Sequence, residues 1–322
     1  MMRVIVTDCD HDTMLQEKTV FENAGMTFIH LACKTEEDLM NQAKGGEILL
    51  TQYGPFTRRV MEALRPELKL IVRYGVGVDT IDLKAATDLG VQVCNVPDYG
   101  MNEVADQAMG MLLALTRKIC YINNCTKHKT WSYTEAIPVR RIPGSVVGIV
   151  GLGRIGHTLA KRLMGFECRL IAYDPSYPVG TVEAGVEIVS WDTLLQESDM
   201  ISIHCPLTSE TENMFGLQEF RKMKKSAVVV NTARGGIVNE KDLLTALEQN
   251  MIAGAALDVV KEEPMEVGAS LFAFDNFLCS PHMAWYSQES ALELKRKVAE
   301  EAVRFAKGES LRDPVNILQA DI

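Results

Sequence analysis

The sequence predicts an α/β fold of two doubly wound parallel-sheet units, the second inserted near the end of the first. Three observations predict it. The chain has 322 residues, which corresponds to about two domains at ~150 residues each. Short runs that are apolar on both faces, the mark of buried parallel strands, alternate with helical stretches from end to end. A glycine-rich turn near the middle lies between one such run and a helix, as the doubly wound arrangement requires.

Taken in order, Val4–Thr7, Ile48–Gln52, Leu70–Val72 and Val91–Val96 read as strands of the first unit. Leu15–Ala24, Glu36–Lys44 and Leu83–Leu89 read as the helices between them. Asn102–Asn123 reads as one long helix, capped by Asn102, with acidic residues early and Arg117 and Lys118 further on. It is apolar around much of its circumference, so part of it is expected against a subunit partner. Lys127–Arg141 is polar and irregular, a surface linker or lid. Val146–Val150, Leu170–Tyr173, Met200–His204, Ala227–Asn231, Ala253–Val259 and Phe277–Cys279 read as the strands of the second unit. His157–Met164 is the helix after its first strand, and Glu289–Lys307 carries the last helical pattern.

Composition narrows the function. Hydrophobic residues make up 47% and charged ones 24%, which excludes a disordered or fibrous chain. No run approaches the ~20 apolar residues of a membrane span. Residues 1–8, Met-Met-Arg-Val-Ile-Val-Thr-Asp, reach an acid before a signal-peptide core forms, so a cytoplasmic protein is expected. With 33 basic and 43 acidic residues the net charge is −10, a surface that repels nucleic acid. The eight cysteines show neither CxxC nor Cys/His ligand spacing. Reduced core thiols and no metal are expected.

Ser145-Val-Val-Gly-Ile-Val-Gly151-Leu-Gly153-Arg154-Ile155-Gly156 is a GxGxxG between an apolar strand and a helix. The following strand ends in Asp174, eighteen residues beyond Gly156. That is the context of a dinucleotide site. Gly151 allows the tight turn, Gly153 lets a pyrophosphate approach, and Gly156 lets helix and strand pack. The free amides at the helix start, at Arg154 and Ile155, hold the phosphates. The Asp174 carboxylate accepts ribose hydroxyls, and two like charges 4 Å apart cost at most about 4 kcal/mol at an effective dielectric of ~20. NAD is therefore expected over its 2′-phosphorylated form.

Three later residues follow apolar strands: Arg234 in Asn-Thr-Ala-Arg-Gly-Gly, Glu263 in Asp258-Val-Val-Lys-Glu-Glu-Pro, and His282 in Cys-Ser-Pro-His. Arginine can grip a carboxylate with a two-pronged fork. Histidine titrates near neutrality and suits proton exchange with a hydroxyl, and a glutamate beside it would orient the ring. Taken singly, each reads more often as a surface charge or a turn residue than as a functional group.

Together these motifs, with Arg73-Tyr-Gly-Val76-Gly77-Val-Asp79 and His204-Cys-Pro206-Leu-Thr208, resemble the D-isomer-specific 2-hydroxyacid dehydrogenase family over roughly residues 3–316. Val93-Cys-Asn-Val-Pro97, Glu103-Val-Ala-Asp106 and Ala284-Trp-Tyr-Ser287 resemble its C-terminal-binding-protein branch. The resemblance implies a flavodoxin-like substrate domain (1–100 plus 288–322) and a Rossmann NAD-binding domain (101–287). It also implies a homodimer through the 102–123 helix region. His282 would be the acid/base, Glu263 its orienting partner, and Arg234 the holder of the substrate carboxylate and keto oxygen. The Val76 and Gly77 amides, Arg73 and Trp285 would border the substrate. Asp258 would hold the nicotinamide carboxamide. Val104, His204, Pro206, Thr211 and Ala233 would line the cofactor.

The implied activity is reversible hydride transfer between NAD(H) and a 2-oxo acid. One departure bears on the substrate: the loop Thr51-Gln-Tyr-Gly-Pro-Phe-Thr57 lacks the arginine that a phosphorylated substrate would need. Tyr53 and Phe56 there point to an apolar pocket and an unphosphorylated 2-oxo acid. Two further readings stay open, an NAD(H)-sensing binding protein and a phosphoglycerate dehydrogenase-like enzyme.

Overall fold

The computed structural model describes residues 2–10, 12–266 and 268–318. The chain divides into two compact units, Met1–Gly100 with Ser287–Ile322, and Met101–Tyr286.

In the first unit, strands β1 (Val4–Val6), β2 (Phe28–His30), β3 (Ile48–Thr51), β4 (Leu70–Arg73) and β5 (Gln92–Cys94) alternate with helices α1 (Leu15–Asn23), α2 (Glu36–Gln42), α3 (Arg58–Ala63) and α4 (Leu83–Asp88). The strands form one parallel sheet in the order β2-β1-β3-β4-β5. β1 and β3 are buried at every position, as their unbroken apolar runs require. Thr35, Thr57 and Asp82 cap α2, α3 and α4 with side-chain acceptors. β2 escapes sequence reading because it lies at the sheet edge, half-exposed and exposed along its length. Phe56 corrects the pocket expectation. It is wholly buried with Val60, Met61 and Ile71 in the core of this unit, so it lines no pocket.

The second unit opens with α5 (Met101–Thr116) and α6 (Ile119–Lys127), two helices where one was expected. The break is Lys118, in the left-handed region at φ 53°. Periodicity alone does not distinguish a continuous helix from two joined by one such residue. Asn102 is not the cap: α5 begins at Met101, and the Asn102 side chain accepts from Arg162 Nη2 at 3.1 Å. The apolar face of α5 (Ala105, Ala108, Met109, Met111, Leu112) is spent in the unit's own core with Val147, Ile149 and Leu159, whereas α6 has no buried residue.

Beyond a short 3₁₀ turn at Tyr133–Ala136 come β6 (Val146–Val150), α7 (Arg154–Leu163), β7 (Arg169–Tyr173), β8 (Val182–Glu183), β9 (Val186–Ile188), α8 (Trp191–Glu197), β10 (Met200–Ile203), α9 (Leu217–Lys222), β11 (Val228–Asn231), α10 (Glu240–Glu248), β12 (Gly254–Leu257) and β13 (Phe277–Cys279). The sheet runs β13-β12-β11-β10-β6-β7-β9-β8, parallel but for the β8–β9 hairpin. α7 starts three residues before the expected His157, because Gly153 is its cap and Gly156 is already helical. The last helix, α11 (Gln288–Ala306), belongs to the first unit. Ser287, expected with the second unit, caps it and falls with the first.

The cysteine expectation needs correction. All eight are free, but only Cys33 and Cys94 are buried, and Cys120 and Cys279 are exposed. Adjacency to an apolar run does not make a thiol face inward: Cys279 ends an edge strand, and Cys120 lies on the unburied α6. No helix is long and apolar enough to cross a membrane, among the described residues.

Candidate active site

One row of paired residues crosses the larger sheet: Tyr173 with Val150, Val150 with Ile203, Ile203 with Asn231, Asn231 with Leu257, and Leu257 with Cys279. All six strands run parallel, so the chain leaves each of these residues toward the same edge. The glycine turn, the His204–Thr211 segment and the loops bearing Arg234, Glu263 and His282 all follow that row directly. This is the carboxyl edge, where doubly wound sheets hold ligands, and the strand order reverses between β6 and β10.

The glycine turn is built for close approach at two positions. Gly151 sits at φ 90°, and a Cβ there would lie 2.7 Å from the Cys205 nitrogen. A Cβ on Gly156 would lie 2.3 Å from the Gly151 carbonyl oxygen. Gly153 differs: its φ of −79° is ordinary, and a Cβ would meet nothing within 4 Å. Gly153 therefore supplies open space in front of the α7 amides at Arg154 and Ile155, where a pyrophosphate fits. The Leu152 amide donates to Asp174 Oδ2 and the Ser176 amide to Oδ1, each at 2.8 Å. Acceptor capacity remains on both oxygens for ribose hydroxyls. The residues present fit NAD.

Other residues expected at the cofactor serve the framework visibly. The Thr211 hydroxyl donates to the Pro206 carbonyl at 2.6 Å and accepts the Thr208 amide at 2.8 Å, bracing that segment. The Ala233 amide donates to Asn231 Oδ1 at 3.0 Å. Val104 is buried on α5. His204 Nε2 lies 2.8 Å from Ser202 Oγ, and its Nδ1 is buried without a partner among the described residues. Burial lowers its pKa to about 4, so the ring is neutral.

His282 and Glu263 are brought together by loops after β12 and β13. His282 Nδ1 lies 2.7 Å from Glu263 Oε2, while Glu263 Oε1 accepts the Val260 amide at 3.2 Å. Burial opposes the charge on Glu263. The His282 hydrogen bond and charge, the Val260 amide and the Arg234 guanidinium outweigh it and hold the carboxyl below its usual range. His282 itself adopts φ 50°, a left-handed backbone for a non-glycine residue, pinned by its amide donating to the Asp258 carbonyl at 2.7 Å.

Asp258 organises this turn. Its buried carboxylate accepts the Ser280 hydroxyl, the Met283 amide at 3.0 Å and the Ala284 amide at 2.9 Å. Three of about four acceptor directions are thereby taken up by the loop that carries His282. Asn231 does the same for Arg234: its Nδ2 donates to the Arg234 carbonyl at 2.8 Å. Gly235 then passes so close to the neighbouring loop that a Cβ would lie 2.0 Å from the Val260 carbonyl carbon. Asn231, Gly235, Ser280 and Gln107, whose Nε2 donates to Ser280 Oγ at 3.2 Å, were not singled out from sequence. Only a pairing register or a through-space distance marks them. Trp285 is half-buried, edge-on to Tyr286 with ring centroids 5.6 Å apart.

In the first unit, Arg73 ends β4 and Val76 and Gly77 follow in the next turn. Gly75 has φ 133°, and a Cβ there would sit 1.5 Å from Arg73 Nη1, so the guanidinium lies over this glycine. Asn95 Nδ2 donates to the Val76 carbonyl at 2.6 Å, and the buried Tyr74 hydroxyl donates to Glu17 Oε1 at 3.0 Å. The turn is held from both sides.

A cavity of about 1040 Å³ opens elsewhere in the second unit, against the amino ends of the strands at Ser145, Met200 and Val228. It is remote from the edge that carries Arg234, Glu263 and His282.

A doubly wound sheet with this glycine turn and a carboxylate closing its second strand defines a dinucleotide-binding domain. The family model for the D-isomer specific 2-hydroxyacid dehydrogenase NAD-binding domain matches residues 109–284. The chain belongs to that family. It is 38% identical over 283 residues, 88% of its length, to D-3-phosphoglycerate dehydrogenase of Archaeoglobus fulgidus, and spans 53% of that relative. It is 39% identical over 264 residues to glyoxylate reductase of Thermococcus litoralis, covering 80% of this chain and 78% of the relative. NAD-dependent formate dehydrogenase from Staphylococcus aureus, solved in complex with NAD, superposes with a TM-score of 0.87 at 29% identity, covering 99% of this chain and all of the other.

Proposed function

We propose that this protein catalyses the reversible interconversion of a 2-oxo acid and its D-2-hydroxy acid, with His282 as acid/base, Glu263 as its positioning residue and Arg234 as the substrate clamp. The observation that carries it is the 2.7 Å contact between His282 Nδ1 and Glu263 Oε2 at the ligand-binding edge. With Nδ1 turned to a carboxylate, Nε2 is the nitrogen left to exchange a proton with the substrate oxygen. Glu263 fixes the orientation of the ring, and Arg234, an influence on the Glu263 carboxyl, offers a fork to the substrate carboxylate and the charge growing on oxygen. NAD(H), when bound, supplies or takes up the hydride. In the first unit, Arg73 and the Val76 and Gly77 amides are the groups proposed for substrate.

We propose further that the enzyme works in the cytosol as a homodimer. Apolar exposure supports the dimer: Trp131, Tyr133 and Ile137 lie in water at 90%, 81% and 61%. The contact is assigned to α6 and the segment after it, since the apolar face of α5 is used internally.

The experiment is NADH consumption against a panel of 2-oxo acids for the parent and His282→Asn. The parent turns over and the variant falls by ~10²–10⁴-fold. A variant as fast as the parent overturns the assignment. Tight NADH binding with no turnover across the panel would favour a sensor instead.

A further inference from the structure

The histidine proposed as acid/base stands on a turn whose hydrogen bonds lead back to α5. His282 holds φ 50°, and its amide donates to the carbonyls of Asp258 at 2.7 Å and Ser280 at 3.0 Å. The buried Asp258 carboxylate gathers the same turn through Ser280, Met283 and Ala284. Met283 and Ala284 donate backbone amides, whose direction the chain fixes. Ser280 is different. Its backbone is held, the amide donating to the Leu257 carbonyl at 3.0 Å, but its hydroxyl proton can rotate. A serine hydroxyl has one proton and two lone pairs. From α5, Gln107 Nε2 donates to Ser280 Oγ at 3.2 Å, across 173 residues of chain. With a donor on that side, the single Ser280 proton is left for Asp258 Oδ1. Donation therefore runs one way, from Gln107 to Ser280 to Asp258, and each bond polarises the next. Gln107 is itself held by its helix, since Val104 and Met111, one turn to either side, are both buried.

We propose that Gln107 is a positioning residue for the reaction. It aims the Ser280 hydroxyl at Asp258 and so keeps the His282 turn in its left-handed form, acting through those two residues rather than on the reacting atoms. This rests on the dehydrogenase reading above, because the turn matters through His282. What the position needs is a donor, not polarity as such. A carboxylate there would accept the Ser280 proton and turn the hydroxyl away from Asp258. The carboxylate of Asp258 would then lose one of the three bonds by which it holds the turn.

The test is a kinetic cycle with NADH and the best 2-oxo acid substrate of the panel. Gln107→Glu keeps the shape but puts an acceptor where the donor was, and kcat falls by ~100-fold. Gln107→Ala only frees the hydroxyl, so kcat falls less, by ~10-fold. In both, KM for the 2-oxo acid and the NADH dissociation constant stay within about 3-fold of the parent. Ser280→Ala alone costs ~10-fold, and adding either Gln107 substitution to it lowers kcat by no more than ~3-fold further. A merely structural role for Gln107 would cost the same with or without the serine hydroxyl. Alanine and glutamate are both good helix formers, and Gln107→Ala carries the cycle if the glutamate variant does not fold. Three results overturn the role of Gln107 and leave the dehydrogenase reading standing: parental kcat in the folded variants, losses that simply multiply with that of Ser280→Ala, or a loss confined to KM or NADH binding. A parent that reduces no acid of the panel overturns the dehydrogenase reading and the role of Gln107 with it.

Discussion

Gly235→Ala tests how closely the arginine and glutamate loops must approach. The added Cβ would lie 2.0 Å from the Val260 carbonyl carbon, 2.1 Å from its oxygen and 2.5 Å from the Lys261 nitrogen. All three are backbone atoms, which cannot rotate away. Ordinary contact begins near 3.4 Å, so the two loops must part by about 1.4 Å. One loop carries Arg234, and the other holds Glu263 through the Val260 amide. Misplacement of a reacting group by ~1 Å costs on the order of 100-fold, or about 2.8 kcal/mol in the barrier. Overpacking adds roughly 1–3 kcal/mol of destabilisation. The expected result is a ~100-fold fall in kcat/KM for 2-oxo acid reduction, with a lower melting temperature in a protein that still binds NADH. Gly236→Ala is the matched control. The atoms nearest its Cβ would belong to the flexible Leu207 side chain, at 3.1 Å, so activity should stay within about 3-fold. Gly235→Ala with parental kinetics would refute the argument, as would equal losses in both variants.

Gly153→Ala should leave the melting temperature of the apo protein unchanged, because a Cβ there has open space. It should raise the NADH dissociation constant by ~10-fold or more by crowding the pyrophosphate, measured by fluorescence titration. Glu263 carries a lowered carboxyl pKa, so its contribution to stability is present above the usual carboxylate range. That contribution is lost as pH falls below 4.5 toward the lowered value. Glu263→Gln should therefore show a flatter melting profile over that acid window, together with a kcat reduced by ~10²-fold or more. Gly75→Ala should drive the Arg73 guanidinium from its place, given a Cβ 1.5 Å from Nη1 and a φ of 133°. It should raise KM for the 2-oxo acid by about 10-fold while NADH affinity stays parental.

Much of the framework was legible in the chain because it rests on local rules. Consecutive apolar residues announced the buried strands at Ile48–Thr51 and Val228–Asn231, and GxGxxG before a helix with Asp174 downstream announced the dinucleotide turn. Arg234, Glu263 and His282 each stood just past an apolar run, which in a parallel sheet directs all three to one edge. The long helix was legible only as apolar and helical. Its interruption at Lys118 turns on one backbone angle that no periodicity encodes.

Sequence alone determined the buried strands, the glycine turn and which residue types stand at the strand ends, since side-chain periodicity and turn chemistry act over a few residues. Tertiary structure decided what each residue faces. It sent Phe56 into the core, committed the Asp258 carboxylate to the loop beneath His282, pressed Gly235 against Val260 and drew three loop amides onto Asp8. Those outcomes depend on contacts between segments far apart along the chain, and their distances are set by sheet order and register.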